Sequence, residues 1–223
     1  MHFIFDLHNT LISTRISHGQ FLSSILPGLD SSDFDRVFIE RMKVLMRNPA
    51  QQKIIWHLNG PSVPVSRSTW SDLFVDAACA AGCEANPEIL LSACTASYDR
   101  LADPNQWFCY DYTLEVLGEL VAMRHTISIL SNFDRRGANI INGLLYSVPW
   151  RRIGLSFQTG LLKPDEGSFL AHCRLLDLPM EEIVMVGDDF WQDGGAERIG
   201  LKFRWVNHPS INLPAVFKDE LDG

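Results

Sequence analysis

The chain has 223 residues, of which 46% are hydrophobic, and a formal net charge of −8 at pH 7. This length and composition suffice for a substantial core, and the negative charge argues against nucleic acid as the main partner. The five cysteines include no Cys-x-x-Cys pair, no charged and apolar leader opens the chain, and no apolar run reaches the length of a membrane span. We therefore expect a cytoplasmic protein with reduced thiols that binds neither nucleic acid nor a membrane.

The first apolar run, residues 3–5, ends at a carboxylate, Asp6, and His8 follows two positions later. A short apolar run with polar boundaries is typical of a buried strand in a parallel sheet. In open α/β sheets the ligand lies just outside the carboxyl ends of the strands. Asp6 is therefore either a catalytic or ligand-binding residue at such an end or simply a turn or capping residue.

The stretch from residue 13 to residue 104 shows helical patches between breakers and no convincing strand. Apolar spacing, caps and breakers predict helices over residues 33–46, 51–58, 68–81 and 87–102. We interpret residues 14–105 as an inserted α-helical domain, and residues 1–13 and 106–223 as the domain that it interrupts.

The second half of the chain alternates between helices and strands. Strands are predicted over residues 126–130, 153–157, 182–186 and 202–206, and helices over 114–123, 135–145, 166–176 and 194–199. The tail after His208 is interrupted by proline and is expected to be irregular. This alternation predicts an α/β fold with a parallel sheet and right-handed crossovers.

Acidic side chains follow the predicted strands at two places, namely Asp6 after the first strand and Asp188, Asp189 and Asp193 after the strand at 182–186. Four carboxylates that converge on one edge repel one another unless a cation lies among them. Oxygen ligands of this kind favour Mg²⁺.

Three further polar residues are expected near the same edge: Ser131 and Asn132 at the end of a strand, and Lys163 in a loop. A lysine and a serine hydroxyl can hold a phosphoryl group, and an ionised Asp beside it can attack the phosphorus. Taken singly, Ser131 is better explained as a helix cap. Lys163 alone could be a solvated loop residue, and Asp193 alone could be an N-cap. Together they predict phosphoryl transfer through a covalent carboxyl intermediate.

Four segments, FDLHNTL, ILSNFD, GLLKPDEGSF and VMVGDDFWQDGGAERIG, resemble in order the four motifs of the haloacid dehalogenase (HAD) superfamily. The resemblance covers roughly residues 1–13 and 106–223. It implies a Rossmann-like core whose five parallel strands, numbered along the chain, follow the order 5-4-1-2-3. The helical insertion resembles the C1 cap of the haloacid dehalogenase and β-phosphoglucomutase branch.

The resemblance also implies roles for the residues at the strand ends. Asp6 resembles the nucleophile and first metal ligand, Ser131 the phosphate-binding hydroxyl, and Lys163 the lysine that steadies both, with Asn132 as a further phosphate contact. Asp188 resembles a direct ligand of Mg²⁺ and Asp193 an acid that orients metal-bound water or Lys163. Asp189 is a further candidate ligand, either directly or through water.

His8 departs from this pattern, because the phosphatases of the superfamily carry a second Asp at this position. That Asp serves as general acid and then as general base, and it binds the metal through its backbone carbonyl, which a His can also do. Loss of a general acid–base typically lowers the rate ~10²–10⁴-fold. A dication nearby lowers the pKa of a histidine, so His8 is expected to be a better base than acid, unless it has no catalytic part.

Three functions follow from these residues. The first is a Mg²⁺-dependent phosphatase for a small phosphomonoester, and the second is a metal-independent dehalogenase-like hydrolase. The third is a catalytically silent protein that binds a phosphorylated ligand or a partner protein. The sequence leaves the substrate and the oligomeric state open.

The helical insertion is expected to select the substrate by closing over the site and excluding water. Its polar or aromatic candidates for contact with substrate are Arg15, His18, Trp56 and His57. For each of them, solvated surface or ordinary packing is the favoured explanation.

Overall fold

The computed structural model describes residues 1–46, 48, 63–207 and 209–221. The helix predicted over 51–58, with Trp56 and His57, lies outside the described residues. Two compact units are present, one formed by Met1–Ser13 and Trp107–Gly223 and the other by Thr14–Gln106. The assignment of residues 14–105 to a separate domain stays a prediction.

A five-stranded parallel sheet forms the centre of the first unit. Its strands are β1 (His2–Phe5), β4 (Thr126–Ser131), β5 (Arg152–Leu155), β6 (Ile183–Gly187) and β7 (Lys202–Trp205), in the spatial order β5-β4-β1-β6-β7. This is the predicted order 5-4-1-2-3 read from the opposite edge, so the predicted core topology is confirmed. Two further strands, β2 (Ile12–Thr14) and β3 (Trp107–Cys109), form a separate pair that the sequence analysis missed.

Strand β1 is buried on both faces, as expected for the central strand of a parallel sheet. Ile4 belongs to a core cluster with Phe169 and Met185 on one face, and Phe3 packs edge-on against Phe217 on the other. Because β1 is central, its carboxyl end places Asp6 between the ends of β4 and β6. In register, Phe5 pairs with Ile129 on one side and with Val186 on the other.

Helices flank this sheet on both faces. Those of the first unit are α5 (Thr113–Ala122), α6 (Arg136–Leu144), α7 (Ser156–Thr159), α8 (Glu166–Arg174), α9 (Pro209–Val216) and α10 (Lys218–Leu221). Short 3₁₀ turns cover Pro104–Gln106, Met180–Glu182 and Gly194–Ile199. Residues 156 and 157, predicted as the end of a strand, instead begin α7.

The prediction of an irregular tail after residue 208 is wrong, because α9 and α10 are helical. Leu213 and Phe217 are fully buried, and the ring of Phe217 lies 5.0 Å from Phe3 and 5.7 Å from Phe5. Pro214 lies inside α9 without ending it. Burial against the sheet therefore outweighs the local helix-breaking tendency of proline.

The second unit is helical, as predicted, with α1 (His18–Ser23), α2 (Ser31–Leu45), α3 (Val63–Ala80) and α4 (Pro87–Arg100). A C1-type helical insertion after the first strand is thus confirmed. The side chain of Asn86 caps α4, with Pro87 at the first helical position, as the sequence indicates. The side chain of Asp30 caps α2. No helix in the described part of the chain has the length and apolarity that a membrane span requires.

Two candidates for contact with substrate in this unit have local partners. The guanidinium of Arg15 donates to the carbonyl of Asn105 at 2.9 Å. His18 bonds to the hydroxyl of Ser97 at 2.9 Å, and its ring lies 4.3 Å from that of Phe74. Both contacts lie within the helical unit, and a role in substrate binding stays a prediction.

Candidate active site

Asp6 follows β1 directly and lies at the carboxyl edge of the sheet. Its backbone N–H donates to the carbonyl of Val186 at 2.9 Å, which extends the pairing with β6 by one residue. The chain then turns sharply, with Asn9 at φ 63° and the N–H groups of Leu11 and Ile12 both donating to the carbonyl of Leu7. This tight turn keeps the carboxylate of Asp6 at the strand end, where 8% of the residue is exposed.

Strand β6 ends at Gly187, and the loop that follows returns Asp193 to the strand end. A Cβ atom on Gly187 would lie 2.1 Å from Oδ2 of Asp193, so only glycine permits this approach. The N–H of Asp189 donates to the same Oδ2 at 3.1 Å. The side chain of Asp193 does not cap the helical turn that it precedes.

Three carboxylates converge at this edge. Asp6, Asp188 and Asp193 each offer an oxygen, and these oxygens lie within 4.8 Å of one another. The ammonium of Lys163 lies 2.5 Å from Oδ1 of Asp6 and 2.5 Å from Oδ1 of Asp193. Lys163 is 2% exposed, so these two ion pairs are screened little by water. We call these four residues the acid–lysine site.

The charges of the acid–lysine site do not balance, since three carboxylates face one ammonium. Burial and the neighbouring carboxylate of Asp6 raise the pKa of Asp188 to about 7. Burial also raises the pKa of Asp193, although the ammonium of Lys163 acts in the opposite direction. Burial alone would lower the pKa of Lys163, but Asp193 and Asp6 outweigh it and raise that pKa. Lys163 therefore stays charged, and the excess of negative charge favours a cation among the carboxylates.

Two residues that the sequence analysis did not assign hold Asp188 in place. The hydroxyl of Thr10 donates to Oδ1 of Asp188 at 3.1 Å and accepts from the N–H of Asp188 at 3.1 Å. The indole N–H of Trp205 donates to the carbonyl of Asp188 at 2.9 Å. Thr10 lies within the FDLHNTL segment, so its position in that motif could have indicated a role at the site. Trp205 lies outside the four segments, and nothing in the sequence indicates its role.

The remaining candidates occupy different positions around the acid–lysine site. Ser131 is the last residue of β4 and is buried. The side-chain amide of Asn132 bonds to the main chain of Lys163. The carboxylate of Asp189 is not a member of the convergent acidic group; it accepts from the N–H groups of Trp191 and Gln192.

His8 has an exposed side chain beside Asp6. Its ring meets that of Trp107 edge-on, with the centroids 5.5 Å apart, and Trp107 packs in turn against Phe133. Although the residue is exposed in part, the protein atoms packed around its ring desolvate it and so lower its pKa, whereas the carboxylate of Asp6 acts in the opposite direction. The lowered pKa favours the neutral imidazole at neutral pH.

The sequence matches the family model described as haloacid dehalogenase-like hydrolase over residues 1–200. It is also 24% identical over 144 residues to the haloacid dehalogenase-like hydrolase domain-containing protein 3 of Xenopus laevis. That match covers 65% of this chain and 59% of the relative, so it spans less than two thirds of the relative's length.

Solved structures of two kinds share the fold. The L-2-haloacid dehalogenase from Xanthobacter autotrophicus is similar with a TM-score of 0.66 and 17% identity, over 96% of this chain and 80% of that one. A HAD phosphatase from Thermococcus onnurineus is similar with a TM-score of 0.52 and 20% identity, over 92% and 86% respectively. The four sequence motifs, the strand order and the match to the family model therefore agree, and the chain belongs to the haloacid dehalogenase-like hydrolase family.

Proposed function

We propose that this hydrolase is a Mg²⁺-dependent phosphatase that acts on a small phosphomonoester through an aspartyl-phosphate on Asp6. The observation that carries the proposal is the convergence of oxygens from Asp6, Asp188 and Asp193 within 4.8 Å of one another. Only part of their charge is neutralised by Lys163. A dehalogenase that needs no metal would have no catalytic role for the third of these carboxylates, Asp188.

The donor set fits a hard divalent cation, because all three side chains offer carboxylate oxygens and no sulfur or imidazole nitrogen belongs to the group. Asp6 and Asp188 would hold Mg²⁺ directly, with the backbone carbonyl of His8, and Asp193 would act through Lys163 or through water. The ion would supply positive charge to the phosphoryl oxygens and to the carboxylates around them.

The residues of the chain divide the remaining work. The carboxylate oxygen of Asp6 that Lys163 does not bind attacks phosphorus, and the bond to the leaving oxygen breaks. Lys163 and Ser131 donate to the phosphoryl oxygens, and both are buried, which strengthens these contacts. Water then attacks the aspartyl-phosphate and releases phosphate and free Asp6.

His8 is the base for this second step, because its lowered pKa keeps the imidazole neutral and able to accept a proton from water. A neutral imidazole has no acidic proton to give to a poor leaving group in the first step. We therefore expect good turnover of aryl phosphates, whose leaving groups depart without protonation, and slow turnover of alkyl phosphates.

The test is hydrolysis of p-nitrophenyl phosphate and of an alkyl phosphate, with magnesium and with a chelator. The proposal expects magnesium-dependent turnover of the aryl ester, and a rise of ~10²-fold for the alkyl ester in His8→Asp. The phosphatase would be ruled out if neither wild type nor His8→Asp showed magnesium-dependent turnover and if Asp6→Asn had the same activity as wild type.

A dehalogenase-like hydrolase is the second candidate, and one observation favours it. The ammonium of Lys163 already binds Asp6 and Asp193, so the nucleophile is held without a divalent ion. Chloride release from 2-chloropropionate in the presence of a chelator is the discriminating measurement. If neither reaction occurs but phosphate raises the melting temperature, the protein is a silent ligand-binding member of the family.

We also propose a cytoplasmic location and a small-molecule substrate rather than nucleic acid. The formal charge of −8 and the buried acidic group both disfavour a polyanion at this surface.

A further inference from the structure

The side-chain amide of Asn132 clamps the main chain of Lys163. Its Nδ2 donates to the carbonyl of Lys163 at 2.8 Å, and its Oδ1 accepts from the N–H of Lys163 at 2.9 Å. Together, these two contacts hold the peptide units on both sides of the Cα of Lys163. The position of the ammonium relative to Asp6 therefore depends on how the Asn132 amide is oriented.

Gln192 connects this clamp to the loop after β6. The Oε1 of Gln192 accepts from Nδ2 of Asn132 at 2.7 Å, and its Nε2 donates to Oδ2 of Asp189 at 2.8 Å. The backbone N–H of Gln192 donates to the other oxygen of Asp189 at 2.9 Å. Gln192 is half-buried, so this connection is partly shielded from water.

The groups at the two ends of this series of hydrogen bonds, the carboxylate of Asp189 and the backbone N–H of Lys163, fix the direction of every bond between them. The carboxylate of Asp189 can only accept, so Gln192 must present its NH₂ group to it and its oxygen to Asn132. The N–H of Lys163 can only donate, so Asn132 must present its oxygen to it. The two requirements agree, and a flip of either amide would bring donor against donor or acceptor against acceptor.

We propose that Gln192 is a positioning residue for Lys163, and that Asp189 acts through it by setting the direction of the two amides. For the reaction this rests on the proposed function, since Lys163 there holds the nucleophile and the phosphoryl group. Gln192 touches none of the reacting atoms. It links the loop that carries Asp188 and Asp193 to the loop that carries Lys163. This link keeps the ammonium of Lys163 at a fixed position relative to the carboxylates of the acid–lysine site.

An exchange of two isosteric residues tests this proposal. Gln192→Glu places a carboxylate against that of Asp189, and Asp189→Asn places an amide against an amide. The double variant Asp189→Asn/Gln192→Glu restores one donor and one acceptor at each contact and keeps the net charge of the wild type. The exposed Gln158 supplies the control, since Gln158→Glu adds the same charge away from the series.

In the phosphatase assay we expect each single variant to lower kcat ~10–10²-fold, with a smaller change in KM, because Lys163 shifts relative to Asp6. The double variant should recover to within about threefold of wild type. A merely structural contact would not produce this separation between the effect on kcat and the effect on KM.

Hydrogen exchange at the backbone amide of Lys163 reports on the clamp without any turnover. Both single variants should accelerate this exchange, the double variant should return it to the wild-type rate, and Gln158→Glu should leave it unchanged. If wild type hydrolyses no phosphomonoester, the proposed function fails, and this exchange pattern alone decides whether Gln192 positions Lys163. A double variant no better than the worse single variant, or unchanged exchange in the single variants, overturns the proposal.

Discussion

Two buried polar clusters lie at opposite ends of β1, and they differ in charge. The acid–lysine site begins at Asp6, after the strand. At the start of the strand, Nε2 of His2 lies 2.8 Å from the hydroxyl of Ser128, and that hydroxyl lies 2.9 Å from Nε2 of His172. The other ring nitrogen of His2 bonds to the hydroxyl of Thr126 at 2.7 Å. We call these four residues the histidine chain.

The histidine chain has a single consistent direction. No donor or acceptor among the described residues reaches Nδ1 of His172, although this atom is buried. A bare lone pair costs less there than an unpaired N–H, so the proton lies on Nε2 and donates to Ser128. The hydroxyl of Ser128 then donates to Nε2 of His2, whose own N–H donates to Thr126. Every proton has an acceptor while both imidazoles are neutral.

Under the proposed function, the histidine chain contributes to stability and the acid–lysine site to the reaction. The histidine chain is neutral, and every proton in it has an acceptor within the protein. The acid–lysine site is buried too, but it keeps an excess of negative charge that a bound cation would satisfy. Buried charge without full compensation is costly, and such clusters are typical of functional sites. Substitutions and changes of pH should therefore affect the two clusters differently.

Replacing Asp6, the proposed nucleophile, should separate activity from stability most sharply. Asp6→Asn keeps the shape of the side chain and an acceptor for Lys163, but it removes one of three converging negative charges. We expect kcat for p-nitrophenyl phosphate to fall on the order of 10⁴-fold or more, while the melting temperature without magnesium does not fall. Asp177→Asn, at an exposed position, is the matched control for both measurements. A parallel loss of stability and activity would contradict the division.

Removing the ammonium of Lys163 should lower both activity and stability. Lys163→Met keeps most of the side-chain volume but leaves Asp6 and Asp193 without their buried partner. We expect the free energy of unfolding to fall by about 3–5 kcal/mol, measured by urea unfolding. Magnesium should restore a larger share of stability in this variant than it adds to wild type, since the carboxylates then lack any other cation. Equal effects of magnesium on the two proteins would show that the ion does not bind among these carboxylates.

The sequence predicted the parts of this comparison that depend on local pattern. The apolar runs before Asp6 and Asp188 identify buried strands, and the spacing of strands and helices identifies a parallel sheet whose carboxyl ends meet. Lys163 could be placed near Asp6 through its motif resemblance. The order of the strands followed from the same resemblance, and the structure confirms it.

Other parts depend on tertiary contacts that no local pattern contains. The local sequence around His2 gives no indication that Ser128 joins its imidazole to that of His172, which lies on a helix 170 positions later in the chain. The role of Gln192 depends on the directions of two amides from separate loops. Helix α9 contains Pro214, and its burial against β1 decides its structure. These features follow from the fold, so only the folded chain reveals them.

Acid should destabilise the histidine chain. Burial, with Arg151 and the N-terminus, lowers the pKa of His2 to about 4, and burial, with Arg152, His2 and Lys163, lowers that of His172 to about 3. The unfolded chain, with histidine pKa values near 6.5, binds more protons below that pH, so stability is complete above pH 6.5 and declines as the pH falls. The contribution of the histidine chain to the free energy of unfolding should fall by about 2–3 kcal/mol by pH 5.5. Protonation of Asp188 and Asp193, whose pKa values burial raises, acts in the opposite direction, so the contribution is measured as a difference between two proteins. In urea unfolding at pH 8 and pH 5.5, about half of this loss should be absent from His172→Gln; an equal pH dependence in the variant and wild type would contradict the assignment.

The smallest effect should come from the hydroxyl that joins the two imidazoles. Ser128→Ala leaves the N–H of His172 without an acceptor and Nε2 of His2 without a donor, at a cost of about 1–2 kcal/mol at pH 8. The kcat for p-nitrophenyl phosphate should stay within about twofold of wild type at temperatures where the variant is folded, because the hydroxyl of Ser128 bonds to His2 and His172 at the opposite end of β1. A larger loss of kcat in the folded variant would mean that β1 transmits a shift from His2 to Asp6. The two clusters would then be coupled through β1, and the activity of the acid–lysine site would depend on the hydrogen bonds of the histidine chain.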